Sequence, residues 1–368
     1  MPLTIKFTSD GGGTIIINKA PGSMKYSSNN GDKKEIPQGG IKAIKNEEIQ
    51  LYANGTENEN KKVKFPYLEN ALRISITPNG NGGCEVYGNV MSLLCDPSDT
   101  NFENFSSKTS VPKNAFRELF YNNKSITNAE NLLLPATDLT GADDCYALMF
   151  AGCGLSKAPK LPATTLAAGC YQYMFYGCRN LEGAPELPAT DLAGANRCYA
   201  SMFAHCENLK LAENYELPAT KLAEECYTSM FSGCTSLEEV SYNLLPAKEL
   251  VKFCYTYMFK DCSSLKNAPE LPAKTLFTHC YQYMFNGCGN LKSLTCLATE
   301  YEYTEDKVKI TEPINESCDS FKNSTRDWLT GVASEGTFTH AEGVTWPTND
   351  ASDTSGIPSG WTPRPVEE

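Results

Sequence analysis

The chain has 368 residues, 41% of them hydrophobic and 21% charged, which are proportions of a folded protein and exclude general disorder. A net charge of −12 argues against nucleic acid as a partner, because phosphate binding needs a basic face, and three histidines leave little for catalysis or metal chemistry. No run approaches about eighteen apolar residues, so neither a membrane-spanning helix nor direct membrane insertion is expected.

The N-terminus, Met1 to Phe7, has no long apolar segment and passes straight into alternating sequence, so no signal peptide is expected there. Across residues 1–95 the pairs Ile5/Phe7, Ile15/Ile17, Met24/Tyr26, Ile49/Leu51 and Ile74/Ile76 alternate with polar residues. Gly- and Asn-rich turns such as Asp10–Gly13 and Asn79–Gly83 separate them. This pattern predicts a small antiparallel β-sandwich of Ig-like or jelly-roll-like type. Residues 96–114 read as a linker and N-terminal cap.

From residue 115 to 312 the chain repeats itself. Cys145 to Cys153 reads Cys-Tyr-x-x-Met-Phe-x-x-Cys, and the pattern recurs at Cys170–Cys178, Cys198–Cys206, Cys226–Cys234, Cys254–Cys262 and Cys280–Cys288. A copy without cysteine, Ala115 to Phe120, precedes them. About seven coils of roughly 25 to 30 residues result, the size of a solenoid repeat. With the first Cys of each copy as position 0, apolar residues fall at 0, 1, 4, 5 and 8. At helical spacing these share an arc of about 140°, so each copy is predicted to be a short helix. Gly152, Gly177, Gly233 and Gly287 sit where such a helix would end. The following segments, clearest at Leu181–Leu192 and Leu265–Leu276, carry prolines that limit any strand to a few residues. The expected fold class is thus an α/β repeat solenoid with an N-terminal all-β domain. Strands at about 4.8 Å and helices at about 8–10 Å would make the array curve.

Twelve cysteines belong to this pattern: Cys145, Cys153, Cys170, Cys178, Cys198, Cys206, Cys226, Cys234, Cys254, Cys262, Cys280 and Cys288. Within one helical copy the pair would lie about 12 Å apart, beyond the roughly 7 Å reach of a disulfide. Neighbouring helices at about 8–10 Å would also hold equivalent cysteines too far apart. Zinc is not expected, since no CxxC pair or adjacent histidine cluster exists. These residues are therefore expected to be buried thiols that act as small hydrophobes. Cys84, Cys95, Cys296 and Cys318 remain as the disulfide candidates.

The copies resemble the BspA-like leucine-rich repeats of bacterial surface proteins, through Met174-Phe175-Tyr176-Gly177-Cys178-Arg179-Asn180-Leu181 and Ala184-Pro185-Glu186-Leu187-Pro188-Ala189-Thr190 with their counterparts. The likeness covers about residues 110–300. It implies a non-enzymatic, extracellular or cell-surface protein that recognises or adheres to a host or bacterial surface protein or a glycan.

No other chemistry emerges. His205, His279 and His340 are isolated, the carboxylates scatter over turns, and Asn349, Asp350 and Asp353 lack the spacing of a calcium loop. No cofactor or metal is expected. Tyr173, Tyr257 and Tyr283, all at position 3, flank the buried arc and are the candidate ligand-binding residues, with bridging between coils as the plainer role. Residues 313–368 read as a C-terminal cap and flexible tail. A structural component of a virion or appendage is the rival reading, slightly favoured by the missing leader.

Overall fold

A computed structural model describes residues 1–18, 24–53, 72–95, 101, 103–305, 308–314, 322–349 and 353–367. The chain divides into two compact units, Met1–Glu186 and Leu187–Glu368.

The first unit opens with eight strands: β1 (Leu3–Phe7), β2 (Gly13–Asn18), β3 (Met24–Ser28), β4 (Lys34–Glu35), β5 (Ile41–Ala43), β6 (Glu48–Ala53), β7 (Arg73–Pro78) and β8 (Cys84–Asn89). They form two antiparallel sheets, β5-β2-β7 and β8-β1-β6-β3-β4. The alternation seen in the sequence sets the register. Ile15 lies opposite Ile41 and Ile76, and Ile5 opposite Ile49 and Val86, all of them buried. Gly13 lies against the Phe7 ring, where a Cβ would come within 2.1 Å, so the two sheets meet there.

These sheets run directly into the repeats. β9 (Ile126–Asn128) and β10 (Leu132–Leu133) pair in parallel with β8. On the other side the Ile74 N–H donates to the Leu119 carbonyl at 2.9 Å, and the Ile76 N–H to Asn123 Oδ1 at 2.8 Å. β7 and β8 thus supply backbone partners that an end coil otherwise lacks, while of the expected cap, 96–114, residues 96–100 and 102 lie outside the described residues. Within 96–114, Asn104–Ser107 forms one 3-10 turn, and Phe105 packs on Tyr52 and Cys95.

The predicted short helices are absent. Among the described residues the single α-helix is α1, Lys322–Thr325. Each Cys-Tyr-x-x-Met-Phe-x-x-Cys copy is instead a run of overlapping β-turns. In the Cys145 copy the N–H groups of Cys145, Ala147, Met149, Ala151 and Cys153 each donate to the carbonyl three residues back. The intervening N–H groups of Asp144, Tyr146, Leu148, Phe150 and Gly152 donate to the next coil, at Ala168, Cys170, Gln172, Met174 and Tyr176. Positions −1, 3 and 7 all have φ near +60°: Asp144, Leu148 and Gly152 here, and Phe253, Tyr257 and Asp261 in another copy. A helix would direct every N–H within the chain and tolerate no left-handed residue.

The helical reading failed for a definite reason. A four-residue turn period places residues about 90° apart, against 100° in a helix, and nine residues are too few to separate the two. Stacked rings in neighbouring coils lie 5.4–5.7 Å apart in the first unit, close to a strand spacing.

In the second unit the copies at 198, 226, 254 and 280 repeat this hydrogen bonding. A further turn run follows within the expected C-terminal cap, where the sequence showed no full copy of the repeat. Tyr281, Tyr283, Phe285 and Gly287 donate to Ser324, Arg326, Trp328 and Thr330, and Asp327 and Gly331 take the left-handed positions. Ser, Thr, Trp and Leu replace Cys, Tyr, Met and Phe in this coil, which hid it. The opposite side of the coils carries β11 (Thr275–Leu276), β12 (Ser293–Cys296), β15 (Gly336–His340) and β16 (Trp361–Pro365), between which β13 (Glu300–Glu305) and β14 (Val308–Pro313) form a hairpin. β12, β15 and β16 are parallel, and β11 pairs with the hairpin. Most other coils contribute only single bridges, such as Asp191 with Lys221, because their prolines remove strand donors. Towards the C-terminus Trp361 is buried and its indole N–H donates to the Ala333 carbonyl at 2.8 Å.

Candidate recognition surface

Positions 0, 1, 4, 5 and 8 of every Cys-containing copy point inward and are buried. The position 1 tyrosines form a ladder, with Tyr199, Tyr227, Tyr255 and Tyr281 at successive ring separations of 5.6, 5.8 and 6.1 Å. A second ladder joins Phe203, Phe231, Phe259 and Phe285 at 5.5–5.7 Å. The position 8 thiols cross between coils: Cys234 Sγ donates to the Phe203 carbonyl at 3.2 Å, Cys262 to Phe231 at 3.1 Å and Cys288 to Phe259 at 3.0 Å. In the first unit Cys153 and Cys178 reach Phe120 and Phe150 in the same way. Each of these carbonyls also accepts from a turn N–H, so the thiol fills its second lone pair.

The family model for the BspA type leucine rich repeat region matches residues 170–307 in six copies. Residues 170–307 are a BspA-type leucine-rich repeat region. No curated protein and no solved structure matches the chain. The turn runs at 115, 145 and 324 repeat the hydrogen bonding of the matched copies although they lie outside the matched residues.

The thiols of the core lie in an inert interior. All twelve repeat cysteines are buried free thiols, and so are Cys84, Cys95 and Cys296, which had been disulfide candidates; Cys318 lies outside the described residues. Coil spacing is strand-like, so the helix-spacing argument against disulfides does not apply. The thiols are instead held in place by packing and by their carbonyl partners. Burial pushes Cys170, Cys178, Cys254 and Cys288 up to about 12, the reverse of what a nucleophilic thiolate requires. His279 precedes the buried Cys280, but its ring stacks on Phe253 at 4.7 Å. Burial, then Arg326 and Lys252, lowers its pKa. His205 occupies a left-handed position with its ring over Gly233. His340 Nδ1 lies 2.9 Å from the Ala341 carbonyl. Among the described residues no three His, Cys, Asp or Glu side chains converge to hold a metal. Asp353 Oδ1 accepts from the Ser355 N–H at 2.9 Å, while Asp350 lies outside the described residues. No helix among the described residues is long and apolar enough to cross a membrane.

The three candidate tyrosines sit on the outward side of the turn runs. In the first unit Tyr173 meets the half-exposed Tyr176 edge to face at 5.7 Å. In the second, Tyr257 and Tyr283 lie face to face at 4.8 Å and 5°, beside the Phe253–His279 pair, with the Lys260 ammonium 5.9 Å from the Tyr257 ring. Burial, and then a hydrogen bond to the Asp327 carboxylate, raises the Tyr283 pKa. Phe253 and His279 are members of this surface that sequence reasoning missed. Their signal was positional, since both occupy position −1, the left-handed residue that opens the turn run.

Proposed function

We propose that the chain is a non-enzymatic, surface-exposed recognition protein whose contacts are made by the outward aromatic residues of its turn runs. One patch is Tyr173 with Tyr176 in the first unit; another is Tyr257, Tyr283, Phe253 and His279 in the second. The observation that carries the reading is where these rings stand. Tyr173, Tyr257, Tyr283 and Phe253 have φ of 55–58°, a conformation that disfavours bulky L-residues by roughly 1–2 kcal/mol. The equivalent positions of the other coils are left-handed as well and hold residues as different as Asn114, Leu148, Arg197, Ser229 and Asp327, and none of the four rings is fully buried. The turn-run backbone imposes the conformation in every coil, and half-exposed aromatic groups carried on that rigid frame are suited to recognition.

A protein partner fits better than a glycan. Sugar stacking needs a free ring face, and Tyr257 and Tyr283 each lose one face to the other while the Lys260 ammonium lies over the Tyr257 ring, so edges, hydroxyls and a charge are offered beside what face remains. The test begins with protease treatment of intact source cells, which should remove the protein if it is displayed. A purely cytosolic location would end the recognition reading, and recovery in released particles would favour the appendage role. Purified chain is then screened against extracellular proteins and glycans, with Y257A/Y283A and Y173A as comparisons. Loss of a hot-spot tyrosine should weaken binding about 30-fold. Unchanged affinity in both variants would remove these tyrosines from the surface.

A further inference from the structure

We propose that the outer edge of β16 is built to refuse pairing with a second copy of this chain. Among the described residues β16 is the last rung of the parallel set β12-β15-β16, and no described strand pairs with its far side. Such an edge offers unpaired donors and acceptors to any similar edge. In the second unit the strand ladder steps from Asn267 to Ser293, to Thr337 and to Thr362, so another rung is what the geometry would accept next.

The register shows which β16 groups face outward. The Val366 N–H donates to the His340 carbonyl at 2.8 Å, and Phe338 lies beside Pro363. In a parallel pair alternate residues bond to one neighbour, so 362, 364 and 366 face β15 while 361, 363 and 365 face away. Residues 363 and 365 are both proline, which has no N–H. The remaining outward donor, Trp361 N–H, is taken by the Pro358 carbonyl at 2.9 Å. Every outward donor of the strand is therefore missing or used, while the inward positions 362 and 364 keep theirs. The edge can accept hydrogen bonds but can donate none. This placement is specific, since prolines one residue earlier or later would have broken the pairing with β15.

The excluded partner is the same edge of another copy. Two β16 strands related by a twofold axis at Arg364 would set 363 against 365 in both directions, as an antiparallel pair that exchanges N–H and carbonyl groups. Four donors would be missing from that pair, and two Arg364 side chains would face each other.

Sedimentation velocity on the full chain tests this. P363T/P365T and P363A/P365A both restore the donors at exposed positions, and the circular dichroism and melting of each should match the unaltered chain. The expected result is a monomer for the unaltered chain and a doubled mass for both variants, with P363T/R364T/P365T the tighter dimer. Monomers throughout would overturn the proposal. So would doubling by R364T alone, which would assign the refusal to charge, and so would species larger than a dimer.

Discussion

Ser229 distinguishes a turn run from a helix by the sign of a stability change. It stands at position 3 of its copy with φ of 56°, its N–H donates to the Thr256 carbonyl at 2.8 Å, and its side chain is half-buried. A left-handed conformation costs an L-residue roughly 1–2 kcal/mol, and glycine relieves this at no steric expense. Glycine also has the greater freedom when unfolded, worth about 0.5–1 kcal/mol in the other direction. The net expectation is that Ser229→Gly stabilises by about 0.5–1 kcal/mol. Ser229→Ala removes the short polar side chain and keeps the Cβ, so it should be neutral or slightly destabilising. In a helix the order would reverse, with alanine best and glycine about 1 kcal/mol below it. Urea unfolding of the three proteins, followed by tyrosine fluorescence and circular dichroism, gives the order directly. Alanine most stable and glycine least would refute the left-handed assignment and restore the helix.

Three further expectations concern the core. Native protein at pH 8 should resist thiol reagents, because the described cysteines are buried and their ionisation is suppressed, whereas denatured chain should titrate all 16; rapid labelling of a repeat cysteine without unfolding would contradict the buried ladder. Stability should fall steeply in alkali. Cys170, Cys178, Cys254, Cys288 and Cys296 are raised from 9.0 to about 12, so above pH 9 the unfolded chain releases protons that the folded chain keeps. Their contribution is complete below pH 9 and drains away as the pH rises toward 12, at about 1.4 kcal/mol per group and pH unit. A urea midpoint that stays level from pH 8.5 to 10.5 would show that these thiols ionise in the folded state. Phe231→Ala breaks the ladder on both sides, at 5.7 Å to Phe203 and 5.6 Å to Phe259, and should cost about 3–5 kcal/mol. Tyr257→Ala loses one stacking partner on a half-exposed face and should cost much less; similar losses for the two would mean that the outward tyrosines belong to the core.

Acid should have a smaller effect through the exposed ion pairs between coils. A hydrogen bond from Lys221 holds the Asp191 carboxyl below 3.8, and Lys266 lowers Glu238 below 4.5 in the same way. A carboxylate lowered on folding supports the fold above its unfolded value and stops doing so as the pH falls through the folded one. Asp191→Asn should therefore flatten the acid limb slightly, and salt should do the same; an unchanged acid limb would show that the pair contributes nothing.

The sequence by itself determined the repeat, its inward residues and its family. Those follow from which side chains are apolar and how often they recur, and a Cys-Tyr-x-x-Met-Phe-x-x-Cys copy buries the same face whether its backbone is helical or turned. The strand alternation of residues 1–95 was legible for the same reason, since Ile5 and Ile15 need only be read two residues at a time. The tertiary structure decided where the backbone hydrogen bonds go. Half of each copy's N–H groups are satisfied by the next coil, and that partner is invisible when one copy is read alone. It is this cross-coil bonding that holds Leu148, Tyr257 and Phe253 in left-handed positions that local preference would deny them. The same long-range pairing let Ser324–Val332 complete a coil without the repeat's residues, and let β7 and β8 supply backbone partners to the first. Burial could be read from residue type; the turn run could not, because it exists only when coils are stacked.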